Sequence, residues 1–220
     1  MKQIMTACCL ALALGLTGCE PSSAPPIENL PWQITLSPAG NPQVFQVELG
    51  KSTLKDLMSQ VRSFPEMAVF AHEGGQRRLE AYFGTQRLGL FDAKLLAELQ
   101  VDDATLTALQ TNATKREGMA SGYWKHTVAE EDMAVVNALL IRKLVYIPAI
   151  SYDAEIITQR FGTPTERLPS NDVNVEYWFY TDKGLAIALN AKGSEVLYYV
   201  PIAGFAALKQ ELLEAKPKND

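Results

Sequence analysis

The stretch Tyr152-Asp153-Ala154-Glu155-Ile156-Ile157-Thr158-Gln159-Arg160-Phe161-Gly162-Thr163-Pro164 contains a whole helix together with its start and stop signals. Asp153 offers a carboxylate to the first free backbone amides, so it predicts an N-cap. Ala154, Ile157 and Phe161 recur at spacings of three and four and share one helical face. Gly162 supplies the stop, and Pro164 forbids a restart. The period then changes. Residues 175–181 (Val-Glu-Tyr-Trp-Phe-Tyr-Thr) and 185–190 (Leu-Ala-Ile-Ala-Leu-Asn) predict two strands. Asp182-Lys183-Gly184 between them reads as a short hairpin turn with glycine at the left-handed position. A last strand is predicted over 195–200. A helix followed by an antiparallel meander defines an α+β unit.

Working outward, the same order recurs about 100 residues earlier in the sequence. Phe45, Val47 and Leu49 match Val145, Ile147 and Ala149 as a short strand before the helix. Leu54, Leu57 and Val61 match Ala154, Ile157 and Phe161, with Ser52 or Thr53 as the cap and Pro65 beyond the end. Residues 79–84, 88–92 and 95–101 match the three later strands. The agreement is in residue class and order, with few identities. The chain therefore predicts two helix-plus-antiparallel-sheet repeats, 32–101 and 144–214. The competing reading is two unrelated α+β stretches with similar punctuation. Residues 102–143 predict a helical insert, with helices over 104–114 and 128–143. Thr127 would cap the second, Glu130 would complete a capping box, and Met133, Val136 and Leu140 would form its buried stripe.

Alternation in the second repeat separates Val175, Tyr177 and Phe179 from Glu176, Trp178 and Tyr180. Leu185, Ile187 and Leu189 oppose Ala186 and Ala188, while Leu197 and Tyr199 oppose Val196, Tyr198 and Val200. If the bulky aliphatic face packs on the helices, Trp178, Tyr180 and Tyr199 surround a floor of alanines. That makes these three a candidate binding face for a protein. The other reading is that the insert or the first repeat covers them. An enclosed pocket lined by the same residues would suit a carrier of a small apolar ligand or lipid.

Little else in the chain points to chemistry. Twenty Lys and Arg against 25 Asp and Glu give a formal charge of −5 with no basic cluster, which argues against nucleic acid as a partner. The two histidines, His72 and His126, lack marked co-ligands, so neither a metal nor a cofactor is expected. No nucleophile elbow, zinc-protease helix or phosphate loop occurs, and an enzyme is not expected. A cleft that joined either histidine to carboxylates would reopen that reading.

The N-terminus reads as an export signal. Lys2 precedes an apolar run, 4–16, that is too short to span a bilayer. Leu16-Thr17-Gly18-Cys19 then resembles the lipobox of bacterial lipoproteins. The resemblance implies a signal peptide over 1–18, cleavage before Cys19, and acyl chains on that cysteine that hold the protein to a membrane. Cys8 and Cys9 would leave with the signal, so no disulfide remains. Residues 19–31, with Pro21, Pro25, Pro26 and Pro31, read as a tether able to extend roughly 30 Å, and 215–220 as a frayed tail. Glu20, rather than Asp, follows the cysteine. By similarity to Gram-negative sorting rules, this implies the outer membrane, facing the periplasm, over the inner membrane.

The helix ending in Gly162-Thr163-Pro164, followed by strands carrying Trp178 and Tyr180, resembles the SmpA/OmlA (BamE-like) family of small envelope lipoproteins. A tandem pair of such units is similar to the β-lactamase inhibitor protein fold, in which one sheet surface faces a protein partner. The likeness is close over about 50 residues and loose over another 50. The glycine that precedes the family helix is Ser151 or Tyr152 here, although Gly50 holds that place in the first repeat, and the insert is additional. The chain as a whole is similar to a group of proteobacterial lipoproteins. The resemblance implies a non-enzymatic envelope module with a protein partner.

Overall fold

A computed structural model describes residues 27–215. The expected signal peptide, Cys19, most of the expected tether and residues 216–220 lie outside the described residues. In chain order the elements are β1 (Thr35–Leu36), β2 (Pro42–Val44), β3 (Val47–Glu48), α1 (Leu54–Val61), β4 (Glu66–His72), β5 (Arg77–Leu88) and β6 (Phe91–Leu99). Then come α2 (Asp103–Thr111), β7 (Lys115–Gly118), β8 (Tyr123–Thr127), α3 (Met133–Val136) and β9 (Ile141–Pro148). The chain ends with α4 (Ala154–Phe161), β10 (Glu166–Pro169), β11 (Val175–Tyr180), β12 (Leu185–Asn190), β13 (Val196–Tyr199) and α5 (Phe205–Glu214). The class is α+β.

The helix termini follow from side-chain chemistry. At α1, Thr53 Oγ1 accepts from the Asp56 amide at 3.2 Å, and the Asp56 carboxylate accepts from the Thr53 amide at 2.8 Å. Such a box is worth about 1 kcal/mol. At α4, the Asp153 carboxylate accepts from the Ile156 amide at 2.8 Å, and Gly162 closes the helix with φ of 85°.

Ten strands form one antiparallel sheet in the order β10-β11-β12-β13-β9-β6-β5-β4-β8-β7, and β1 to β3 form a small sheet of their own. Strand β9 lies between the halves. Its Leu144 pairs with Ala97 on β6 and with Tyr199 on β13. One sheet face carries Leu79, Leu95, Leu144, Tyr146, Ile187 and Trp178. It packs on Leu54 and Leu57 of α1, Leu106 and Leu109 of α2, and Ile157 and Phe161 of α4 as one continuous core. The opposite face is covered over β11 to β13 by Phe205, Leu208 and Leu212 of α5. Those three recur at spacings of three and four, one apolar stripe whose burial is worth about 1.5–3 kcal/mol per side chain.

The central seam carries charge. Lys143 on β9 pairs across to Glu98 on β6 at 2.7 Å and also meets Glu211 of α5 at 2.8 Å, while Arg142 reaches Glu98 at 3.0 Å. Lys143 and Glu98 are both buried. Their interaction ties α5 to the middle of the sheet.

Three expectations are corrected. The predicted helix over 128–143 shrinks to α3, preceded by a single short 3-10 turn, and Thr127 belongs to strand β8. Tertiary bonds win there: the amides of Leu54 and Lys55 donate to the carbonyls of Leu139 and Asn137, and the Gln100 amide donates to Leu140. Beyond them Ile141 starts the central strand. The predicted strand over 88–92 is instead a hairpin, since β5 runs unbroken to Leu88 and turns through Gly89 into β6. Three strands of the large sheet therefore follow α1 before α2, against four between α4 and α5. The strand before α1 lies in the small sheet, whereas its counterpart β9 lies in the large one.

The N-terminal part of the described chain is fastened down. Pro31 is buried and its carbonyl accepts from Tyr199 Oη at 2.9 Å. Trp32 packs on Phe91 and Phe161, with ring centroids 5.7 and 6.3 Å apart, and the Arg160 guanidinium lies 4.9 Å from its ring. The segment expected as tether thus joins the folded body before residue 31.

Removing one member of the seam exposes its energetics. Lys143→Met leaves the Glu98 carboxylate buried beside Arg142 alone and is expected to cost about 3–5 kcal/mol by urea denaturation. Adding Glu98→Leu restores part of that loss. A double variant that is less stable than Lys143→Met contradicts this account of the seam.

Candidate functional site

Trp178, Tyr180 and Tyr199, the expected binding face, are buried, with relative exposures of 2%, 0% and 0%. They do not surround the alanines. Tyr180 pairs with Leu185 and Trp178 with Ile187 across the turn through Gly184, so the aromatics share the aliphatic face. Counting across that turn in the sequence would have given the same assignment. Ala186 and Ala188 lie on the other side with Tyr177 and Phe179, beneath α5.

Each aromatic is held by specific partners. The Arg167 guanidinium sits 3.7 Å from the Trp178 ring, and Trp178 Nε1 donates to Glu176 at 2.5 Å. Tyr180 Oη donates to the Gly162 carbonyl at 3.1 Å, and its ring faces Phe161. Tyr199 packs on Phe45, 6.0 Å away, besides holding Pro31. The cover is α4, the N-terminal segment and Phe45, the last from the stretch expected as the first repeat. These residues fill the core and do not line a ligand cavity. Burial raises the pKa of the Tyr180 hydroxyl to about 12, and raises those of Tyr146 and Tyr199 as well.

The open surface lies elsewhere. On the α5 side of the sheet, over β4, β5 and β8, register brings together Phe70, Arg78, Glu80, Tyr82 and Tyr123. Among the described residues no helix packs on this half. Arg78 organises it. Its guanidinium lies 4.4 Å from the Tyr123 ring and 5.3 Å from the Phe70 ring, and it pairs with Glu80. Burial works against its charge, but Glu80 and Tyr123 outweigh that and hold its pKa above the usual arginine value. Tyr123 Oη donates to Gln76 at 3.2 Å, Lys125 meets Glu66 at 3.4 Å, and Tyr82 is 40% exposed. The result is a rigid aromatic platform with a fixed cation. No sequence reading singled it out, although the alternation of Arg78, Glu80 and Tyr82 along one strand was the available signal.

The histidines are apart. His72 Nδ1 accepts from the Gly74 amide in the β4–β5 turn, and its ring leans on Tyr123. His126 lies on the other sheet face, 3.5 Å from Gln110 of α2, and burial together with Arg116 lowers its pKa. Among the described residues no three His, Cys, Asp or Glu side chains converge as a metal site. A second concavity runs between α1 and α3, lined by Met58, Arg62, Phe64 and Asn137, and is open to solvent.

No family model matches the chain, and neither a curated protein nor a solved structure matches it.

Two outcomes follow from the buried aromatics. Trp178→Ala is expected to lower stability by about 3–5 kcal/mol in denaturant melts, as for a large core side chain; a loss under 1 kcal/mol, an order-of-magnitude threshold, contradicts the burial. Tyr146, Tyr180 and Tyr199 have folded pKa values above the unfolded value of 10. Their contribution is complete below pH 10 and is lost as pH rises through the folded values. Absorbance titration should therefore show these phenols ionising together with alkaline unfolding. Ionisation of all eight tyrosines near pH 10 with the fold intact overturns the assignment.

Proposed function

We propose that the protein is an envelope lipoprotein whose folded body is a non-enzymatic protein-recognition module, with the Arg78 platform as its contact surface. The observation that carries the reading is the open half-sheet itself. Aromatics and arginine dominate binding energy at protein interfaces because they combine large area with low ordering entropy and directed polar contact. Here Arg78 is already ordered between Tyr123, Phe70 and Glu80, so little freedom is lost on binding. The alternating charges of Lys125, Glu66 and Glu80 offer a polar rim.

The remaining parts of the reading rest on the sequence. The lipobox ending at Cys19 supports acylation, export and retention at the outer membrane facing the periplasm. The SmpA/OmlA-like pattern supports a role in envelope assembly or maintenance. Duplication of one helix-plus-sheet unit is supported by α1 and α4, each capped by a side-chain oxygen, each packed on the same sheet face, and each followed by antiparallel strands. The carrier reading loses its support, because the residues that would line a pocket are packed against protein.

The test is photo-crosslinking in cells from position 82, comparing the unaltered chain with the Arg78→Ala, Tyr123→Ala double variant. Loss of a discrete crosslinked protein with an unchanged melting temperature supports the module. An identical crosslink profile in a folded variant refutes the Arg78 surface.

A further inference from the structure

The end of the sheet where the described chain begins carries exposed aliphatic side chains, and its position relative to the anchor says what it meets. Strand β6 starts and β9 finishes at this end, with Ala93 opposite Pro148. Ile150 follows two residues beyond the end of β9, where the Ala149 amide still donates to the Asp92 carbonyl at 2.9 Å. The hairpin tip at Gly89 comes so close to residues 28 and 29 that a Cβ there would lie 2.7 Å from the Glu28 carbonyl oxygen. Ile27, Leu90 and Ile150 therefore lie at the same end of the sheet, the end at which the chain enters the fold. They are 47%, 49% and 53% exposed. A polar groove lined by Asp153, Asn174, Glu176, Lys192 and Glu195 continues along the same end to Val173, which is 99% exposed. The charges flanking the hairpin neutralise each other, since Arg87 pairs with Asp92 at 3.3 Å.

The fastening of residues 27–33 limits the reach of the anchor. From Cys19 to Ile27 a chain spans at most about 29 Å when fully extended. Any shorter path brings Ile27 nearer the bilayer than that. We infer that this end of the sheet, through Leu90 and Ile150 beside Ile27, rests on the lipid surface that carries the acyl chains of Cys19. The inference rests on the acylation proposed above. A few half-exposed aliphatic side chains are too few to hold a free protein on a membrane. On a short tether the contact becomes intramolecular, and a weak preference is enough. The occupant fits the chemistry: aliphatic side chains without net charge suit the boundary between headgroups and acyl chains, not a charged ligand.

The experiment uses the full chain, purified from membranes and reconstituted in phosphatidylcholine vesicles. Leu90→Cys and Ile150→Cys each give one labelling site, because Cys8 and Cys9 precede the cleavage point and Cys19 is acylated. Met119→Cys is the control. Met119 is 43% exposed and lies in the β7–β8 turn, at the end of the sheet that His72 and Tyr123 mark as opposite. A polarity-sensitive fluorophore at 90 and 150 should lose emission to nitroxide-bearing lipids, with no loss at 119. Equal exposure of 90, 150 and 119 to an aqueous quencher, in chain whose N-terminal peptide carries acyl groups by mass, overturns this inference and leaves the anchor standing. An N-terminal peptide without acyl groups overturns both.

Discussion

Strand β9 is the member on which the sheet depends, because a central strand must satisfy two rows of backbone groups at once. Its amides and carbonyls serve β6 on one side and β13 on the other. Remove that pairing and each half presents an unpaired edge. The side chains repeat the arrangement. Tyr146 faces Leu95 and Leu197 in the core, while on the opposite face Lys143 bridges Glu98 and Glu211. Two modest meanders become one ten-stranded sheet only through this strand. The outer edges are managed differently: β7 carries Lys115, Arg116 and Glu117, and β10 ends in Pro169.

Both sheet faces are therefore accounted for except one quarter. The helices following the N-caps at Thr53, Asp102 and Asp153 occupy one face, and α5 occupies half of the other. Among the described residues, what is left uncovered is the half-face over β4, β5 and β8. Arg78 pairs there with Glu80, Lys125 with Glu66 and Tyr123 with Gln76. Pre-ordering of this kind separates a recognition surface from a merely exposed one.

Local signals were legible wherever chemistry acts within a few residues. Asp153 and Gly162 delimit α4, Thr53 caps α1, and Gly184 turns β11 into β12, as their spacing predicts. Long-range competition was not legible. Residues 137–141 hold apolar spacing fit for a helix, yet their carbonyls are taken by amides from residues 54, 55 and 100. The burial of Trp178 and Tyr180 turns on register, which the turn length encoded and alternation alone did not. Helix α5 was not read from the sequence: Phe205, Leu208 and Leu212 keep helical spacing, but its N-cap is Gly204, which has no side chain to accept from the first amides. The Arg78 platform draws on strands far apart in sequence, and only the pairing of β4 with β8 assembles it.

The bond from Tyr199 to Pro31 joins residues 168 apart in sequence. A ribosome delivers the first partner long before the second. Until the final hairpin is made, the Pro31 carbonyl lacks its Tyr199 partner, although Phe91 and Phe161, which receive Trp32, are already present. One of the first-made parts of the body is thus completed only by one of the last-made strands.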